Sequence, residues 1–163
     1  MQIIWNLSHY GYPDDLDIFS AEFPVRFAAF AEAFIRFLVS ENNAMPFICP
    51  INEISFFSWA AGKVGWFQPY GKKRGDELKR QLVLASIPAI ERMRAVRPTA
   101  RFVQAEPAIH ITSASNNPQQ KAAEEYRLAQ FHALDMLSGK REPKLGGGEK
   151  YLDIIGLNYY FNN

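Results

Sequence analysis

Four short apolar runs of this chain each end in groups that can hold or move a proton: His9, Asn52-Glu53, Glu106 and Asn158-Tyr159-Tyr160. Around them in the sequence stand Tyr10, Tyr12, Phe56, Phe57, Trp59, Trp66 and Tyr70. Flat aromatic faces suit the C–H side of a sugar ring, and the polar groups suit its hydroxyls. Glu53 follows an apolar run and precedes Ile54-Ser55-Phe56-Phe57. A carboxyl in such surroundings loses hydration when it ionises, which suits it to general acid work. Two readings of Glu53 stand: a catalytic acid, or an exposed loop glutamate that begins a helix. Asn158 and Tyr160 lie two apart, so on a strand they face one way and Tyr159 the other, with Gly156 leaving room beside them. They suit hydroxyl recognition and the orientation of a neighbouring carboxylate. The plainer reading is an edge-strand tyrosine at the surface.

The remaining polar groups say less. A single histidine such as His9 is more often part of structural hydrogen bonding. Glu106, before Pro107, suits the same mouth, a helix approach or a salt bridge. His110 and His132 have no partners at ligand spacing, so no metal site and no cofactor are expected. Gly146-Gly147-Gly148 runs into Glu149-Lys150 without the Lys-Ser/Thr pair of a phosphate loop, and reads as a flexible connection.

These groups need elements to carry them. Ile3–Leu7 reads as a strand and Ser20 to Ser40 as a helix. On that helix Phe23, Phe27, Phe30, Phe34 and Phe37 recur at spacings of four and three, an aromatic stripe expected to face the core. Ser20 is its expected cap, and Pro24 falls in the first turn, where no amide is needed. Phe47–Ile51 is the second strand, followed by a long aromatic loop from Phe56 to Tyr70. A second helix, Asp76 to Val96, contains Pro88, which should kink or split it. Arg101–Ala105 is the third strand. Asn117-Pro118-Gln119-Gln120 opens a third helix that stops at Gly139, and Leu152–Tyr160 is the last strand.

The order β-α-β-α-β-α-β predicts an α/β fold of about four parallel strands with three right-handed crossover helices. Two architectures fit it: part of a (β/α)8 barrel, or a small doubly wound sheet. Both gather function at the carboxyl ends of the strands. Residues 1–163 read as a single domain or part of one, with no repeat, coiled coil or interdomain linker.

Composition narrows the partners. With 48% hydrophobic and 14% aromatic residues the chain can bury a sizeable core. A net charge of +1, from 18 basic and 17 acidic residues spread along the sequence, offers no electrostatic case for nucleic acid or an anionic membrane. One cysteine, Cys49, excludes an internal disulfide framework, so nothing requires an oxidising compartment. The longest apolar stretch, Phe27 to Val39, is interrupted by Glu32 and Arg36, and the N-terminus has no basic-then-apolar signal pattern. The expected location is cytoplasmic.

In this order the strand ends resemble those of the family 1 glycoside hydrolases, the β-glucosidase family within the clan of retaining (β/α)8-barrel glycosidases. Leu7-Ser8-His9-Tyr10-Gly11-Tyr12-Pro13 resembles the family's third-strand Leu-x-His-Trp-Asp-x-Pro segment, with Tyr10 in place of the tryptophan. Ile51-Asn52-Glu53 resembles the fourth-strand Asn-Glu-Pro motif, with Ile54 in place of the proline. Gly62, Gly65 and Pro69 are similar to the glycine and proline positions of the loop that follows it. Asp153-Ile154-Ile155-Gly156-Leu157-Asn158-Tyr159-Tyr160 resembles the sixth-strand Asp-Phe-x-Gly-x-Asn-Tyr-Tyr.

The resemblance implies a partial barrel comprising strands three to six and the cleavage of β-linked glycosides by double displacement. It implies Glu53 as the acid/base, Asn52 on the sugar's 2-hydroxyl and His9 on another ring hydroxyl. Asn158 would sit in the sugar site, and Tyr160 would hydrogen-bond the nucleophile. In such a mechanism the two carboxyls stand about 5–5.5 Å apart. The seventh strand, which carries the family's nucleophile, is not among the four, so the chain by itself is expected to lack turnover. The two outer strands are expected to be open edges that invite self-association. A different class of function stays open beside this one: a non-catalytic carbohydrate-binding or degenerate barrel module that keeps the aromatic mouth.

Overall fold

The computed structural model describes residues 2–114 and 118–160. Strand β1 spans Ile4–Asn6, β2 Phe47–Cys49, β3 Arg101–Pro107 and β4 Ile154–Asn158. Every pairing is parallel and the strands lie in the order β1-β2-β3-β4. A doubly wound sheet reverses its strand order at a switch point, whereas a barrel adds each new strand on the same side of the last. The order observed is the barrel one. Of the two architectures the sequence leaves open, the chain adopts the partial (β/α)8 barrel.

Helix α1 (Glu22–Glu41) connects β1 to β2, α3 (Gly75–Val96) leads into β3, and α4 (Gln120–Ala129) with α5 (His132–Leu137) leads towards β4. The core lies between these helices and one face of the sheet. Ile35, Ile48, Leu82, Ile90 and Phe102 are fully buried there. Among the described residues no helix is long and apolar enough to cross a membrane.

The aromatic stripe on α1 is only half core. Phe23 and Phe27 are buried, but Phe30 is 50% and Phe37 61% exposed. Five residues spaced four and three apart have a period of 3.5, and a straight helix drifts by about 20° per heptad from that period. The buried line therefore moves to Ala28, Ala31, Ile35 and Leu38, and the last phenylalanines turn outward. Ser20 does not cap the helix; its hydroxyl bonds the Asp17 carbonyl at 2.7 Å.

Three further local expectations change. Pro88 does not split α3, which runs unbroken for 22 residues with Ala85, Ser86, Ala89 and Ile90 on either side of it buried. The long loop after β2 is helical: a single turn α2 (Ile54–Phe57) runs into a π-helical segment, Ser58–Val64. The small residues Ser58, Ala60, Ala61 and Gly62 let that segment lie directly against α3, where Gly62 leaves no room for a Cβ beside Leu78. The third helix is broken at Gln130, whose side-chain amide instead bonds the Ile109 N–H at 2.9 Å and the Ile109 carbonyl at 3.1 Å. The expected cap at Asn117 lies outside the described residues. Gly139 does end the helix, with φ +80°.

The drift of the stripe has a measurable consequence. In urea unfolding, Phe23→Ala is expected to lose about 3–5 kcal/mol, and Phe30→Ala about 1 kcal/mol or less. Equal losses would mean that the whole stripe faces the core.

Candidate active site

The carboxyl ends of the strands are tied to one another by backbone bonds. Leu7 N–H donates to the Cys49 carbonyl at 3.0 Å, Asn52 N–H to Ser8 at 2.9 Å and Glu53 N–H to Ala105 at 2.8 Å. On the far side Ala108 N–H donates to the Asn158 carbonyl at 3.0 Å. Strand exits that would otherwise diverge are thereby held over one opening.

Glu53 sits there in the left-handed region, φ 48° and ψ 60°, at the start of α2. Its side chain is 3% exposed. One carboxylate oxygen accepts the Tyr10 hydroxyl at 2.5 Å. The other accepts the Asn158 amide at 2.8 Å and the Tyr160 hydroxyl at 3.2 Å. Asn52 closes the ring: its amide donates to Tyr10 Oη at 3.2 Å and its carbonyl oxygen accepts from Asn158 at 3.2 Å. Three side-chain donors thus converge on its two oxygens.

The structure thus brings Glu53, Asn52, Asn158 and Tyr160 into one hydrogen-bonded network. His9 is beside it rather than in it. The imidazole is exposed, accepts the Asn6 amide at Nδ1 over 3.1 Å in the tautomer that leaves this nitrogen unprotonated, and lies 4.5 Å from the Tyr10 ring. Tyr160, which the resemblance assigns to the nucleophile, bonds Glu53 in this chain. The apolar wall expected around Glu53 stands on one side only, where the Tyr10 ring meets Phe56, Phe57 and Phe67 at centroid distances of 5.5 Å each.

Tyr10 is the site residue that sequence reasoning ranks too low, as one aromatic among many. The signal is its position: it directly follows His9 and puts a hydroxyl where the resemblance has an indole. Burial, then the hydrogen bond and charge of Glu53, hold its phenol far above the usual tyrosine range, so it stays a donor. Its φ is 71°, a conformation that a bulky residue keeps only when its surroundings enforce it. Tyr160 is also raised, chiefly by the Glu53 charge.

Glu106 takes the helix-approach role among the readings left open for it. On β3 it shares the helix-facing side with Phe102 and Gln104, and its two oxygens accept the Ser55 N–H at 3.2 and 3.1 Å. It therefore holds the start of α2, two residues beyond Glu53. Burial pushes its pKa up to about 8, against the Ser55 hydrogen bonds and the charge of Lys79.

The network opens into a cavity of about 720 Å³, walled by Phe56, Trp59, Ile109 and Tyr126. That volume is within the range of small-molecule sites.

No family model and no curated protein matches the sequence. Solved structures do match the fold. The β-glycosidase from Pyrococcus horikoshii superposes with a TM-score of 0.77 at 19% identity, over 98% of this chain and 39% of that one. The AHE enzyme from Alicyclobacillus herbarius gives 0.78 at 14%, over 98% and 42%. The family 1 β-glucosidase from Thermotoga maritima, in complex with isofagomine lactam, gives 0.74 at 16%, over 98% and 41%.

The raised pKa of Glu106 makes stability depend on pH. Its contribution to folding is complete below about pH 4.5 and is lost as the pH rises through about 8. Urea midpoints of the wild-type chain are expected to fall across that window, and Glu106→Gln to flatten the fall. A wild-type midpoint that rises instead would mean that the carboxyl ionises freely in the fold.

The chain spans about two-fifths of the length of these solved structures. Its fold is that of a segment of a (β/α)8 barrel, similar to the corresponding part of these structures.

Proposed function

We propose that this chain is the acid/base segment of a retaining β-glycosidase, with Glu53 as the general acid and base. The observation that carries the reading is the Glu53 carboxyl, held by Tyr10, Asn158 and Tyr160 where the strand ends meet the aromatic cavity. In the first step an attacking carboxylate displaces the leaving oxygen from the anomeric carbon, and Glu53 gives that oxygen its proton. In the second, Glu53 takes a proton from water, which releases the sugar. Asn52, Asn158 and His9 are assigned as ligands for ring hydroxyls of a β-linked sugar, and of the three His9 lines the cavity. Tyr160 and Tyr10 orient the carboxyl.

The attacking carboxylate belongs to a barrel strand other than these four. Glu106 does not supply it, since its oxygens are taken by Ser55 and it faces the helices. The chain on its own is therefore expected to release no phenol from aryl β-glucosides above the level of its Glu53→Gln variant. In a barrel completed with the nucleophile strand, Glu53→Ala should lower turnover of a poor leaving group by about 10²–10⁴. An activated leaving group should lose less, and azide should restore the second step. Equal losses for good and poor leaving groups would mean that Glu53 is not the acid.

One observation favours a second reading, a carbohydrate-binding module without catalysis: both oxygens of Glu53 are already occupied by donors. The two readings separate on the completed barrel, where a binding module takes up aryl β-glucosides but releases no phenol.

The edges of the sheet carry a further part of the proposal. Among the described residues β1 and β4 each pair on one side only. They expose Ile4 and Trp5 on β1 and Ile155 and Leu157 on β4, with Tyr159 exposed just beyond it. Apolar unpaired edges associate, so self-association is expected to appear as a mass that grows with concentration in sedimentation. Ile155→Lys with Leu157→Lys should shift it towards the monomer, and an unchanged mass would exclude the β4 edge.

A further inference from the structure

The cavity that begins at Glu53 has a second end of different character. Besides Glu53 and the aromatic residues, its lining includes Lys63 of the π-helical segment, Lys79 of α3 and Arg141 beyond α5. We infer that this end takes the leaving group of the glycoside, a flat apolar aglycone that bears a carboxylate or phosphate. The inference rests on the glycosidase reading, because an acid that protonates the leaving oxygen puts the leaving group on its own side of the sugar.

Charge carries the argument. Lys79 lies in the first turns of α3, is only 7% exposed and still lines the cavity. Its ammonium has three donors, and the one bond it makes is to the Ala129 carbonyl at 3.4 Å. None of the ion pairs among the described residues includes Lys79, Lys63 or Arg141. Arg141 and Lys63 both press on Lys79 as like charges; Asp76 is the one acid that lines this end, while Glu106, also near Lys79, lies beneath it. Burial holds the Lys79 ammonium below its usual range, the charges of Glu106 and Asp76 offset only part of that, and an incoming anion would add to them.

The backbone adds to this. Gly75, Asp76 and Lys79 of α3 line the cavity, so the positive end of a 22-residue helix faces it. Gly75 has no room for a Cβ, which would stand 2.9 Å from Lys63 Cβ, so Lys63 is pinned at that helix start. The cavity that these cations share with Glu53 is also lined by Phe56, Trp59, Tyr126 and Ile109. Flat apolar walls that end in unpaired cations match an aromatic acid more closely than a second neutral sugar.

The test is binding to the chain itself, read by tryptophan fluorescence, since Trp59 lines the cavity. Phenyl β-glucoside, 4-carboxyphenyl β-glucoside and the phosphate ester of 4-hydroxyphenyl β-glucoside are compared at low ionic strength. At least one charged glucoside is expected to bind about tenfold or more tightly than the neutral one, and the one that does identifies the anion. Raising the salt and Arg141→Gln should each shrink that preference. Arg141 is exposed and its side chain is in no ion pair among the described residues, so this variant reports on charge even where Lys79→Met fails to fold. Equal affinity for charged and neutral glucosides would overturn the cationic subsite alone. If 4-hydroxybenzoate without sugar binds as tightly as its glucoside, the glycosidase reading falls and the aglycone assignment with it. Absence of binding by every glucoside overturns both.

Discussion

Everything at the mouth of this sheet depends on how the chain leaves β2. At Glu53 the backbone enters the left-handed region, its N–H reaches across to Ala105 and, two residues on, the Ser55 N–H is taken by the buried Glu106 carboxyl. Both partners belong to β3. The turn is therefore fastened to the neighbouring strand rather than to itself, and the Glu53 side chain has one direction left to it, into the opening. A left-handed non-glycine residue costs on the order of 1–3 kcal/mol, and two backbone bonds with a buried acceptor are enough to hold it. Tyr10 repeats the device on the adjacent strand exit, also with positive φ, and its hydroxyl meets the same carboxylate.

This fastening sorts the two strand-end glutamates into different work. Glu53 is surrounded by donors and faces the cavity. Glu106, on the helix side of β3, is walled in and serves the backbone. Their sequence settings look alike, each at the end of an apolar run. What separates them is which face of its strand each occupies, and the alternation of side chains along β3 places Glu106 with Phe102 and Gln104. The same geometry explains how Ser55 reaches Gln130: its hydroxyl donates to the Gln130 carbonyl at 2.9 Å, and the Gln130 amide in turn holds Ile109. The loop after β3 is thus braced against the turn that carries Glu53, and together they form the cavity wall.

The cavity has two electrostatic characters because both strand ends and the helical layer line it. At the strand ends the donors are neutral hydroxyls and amides. Outward, between the start of α3 and the segment after α5, they are cations. Neutral donors suit a neutral polyol, and cations suit an oxyanion. Of the aromatic residues in this cavity, Phe56 and Trp59 come from the helical segment after β2, whose small residues let it lie flat on α3, and Tyr126 comes from α4.

Much of this was legible in the sequence. Apolar runs alternating with helical periods determined an α/β parallel sheet, since that order leaves few other topologies, and the run ends named Glu53, Asn52, Asn158 and Tyr160. Motif spacing carried these because neighbours on one strand end stay neighbours in any parallel sheet. Tertiary structure decided the rest. Barrel order over doubly wound order is a choice about which side each strand joins, and no local residue encodes it. The outward turn of Phe30 and Phe37 comes from helix drift accumulated over several turns. The break at Gln130 and the continuity of α3 through Pro88 come from packing that overrides local propensity. The role of Tyr10 comes from a left-handed turn closed by a residue 43 positions away. Each of these depends on contacts between distant segments, and a reading confined to neighbours along the chain does not contain them.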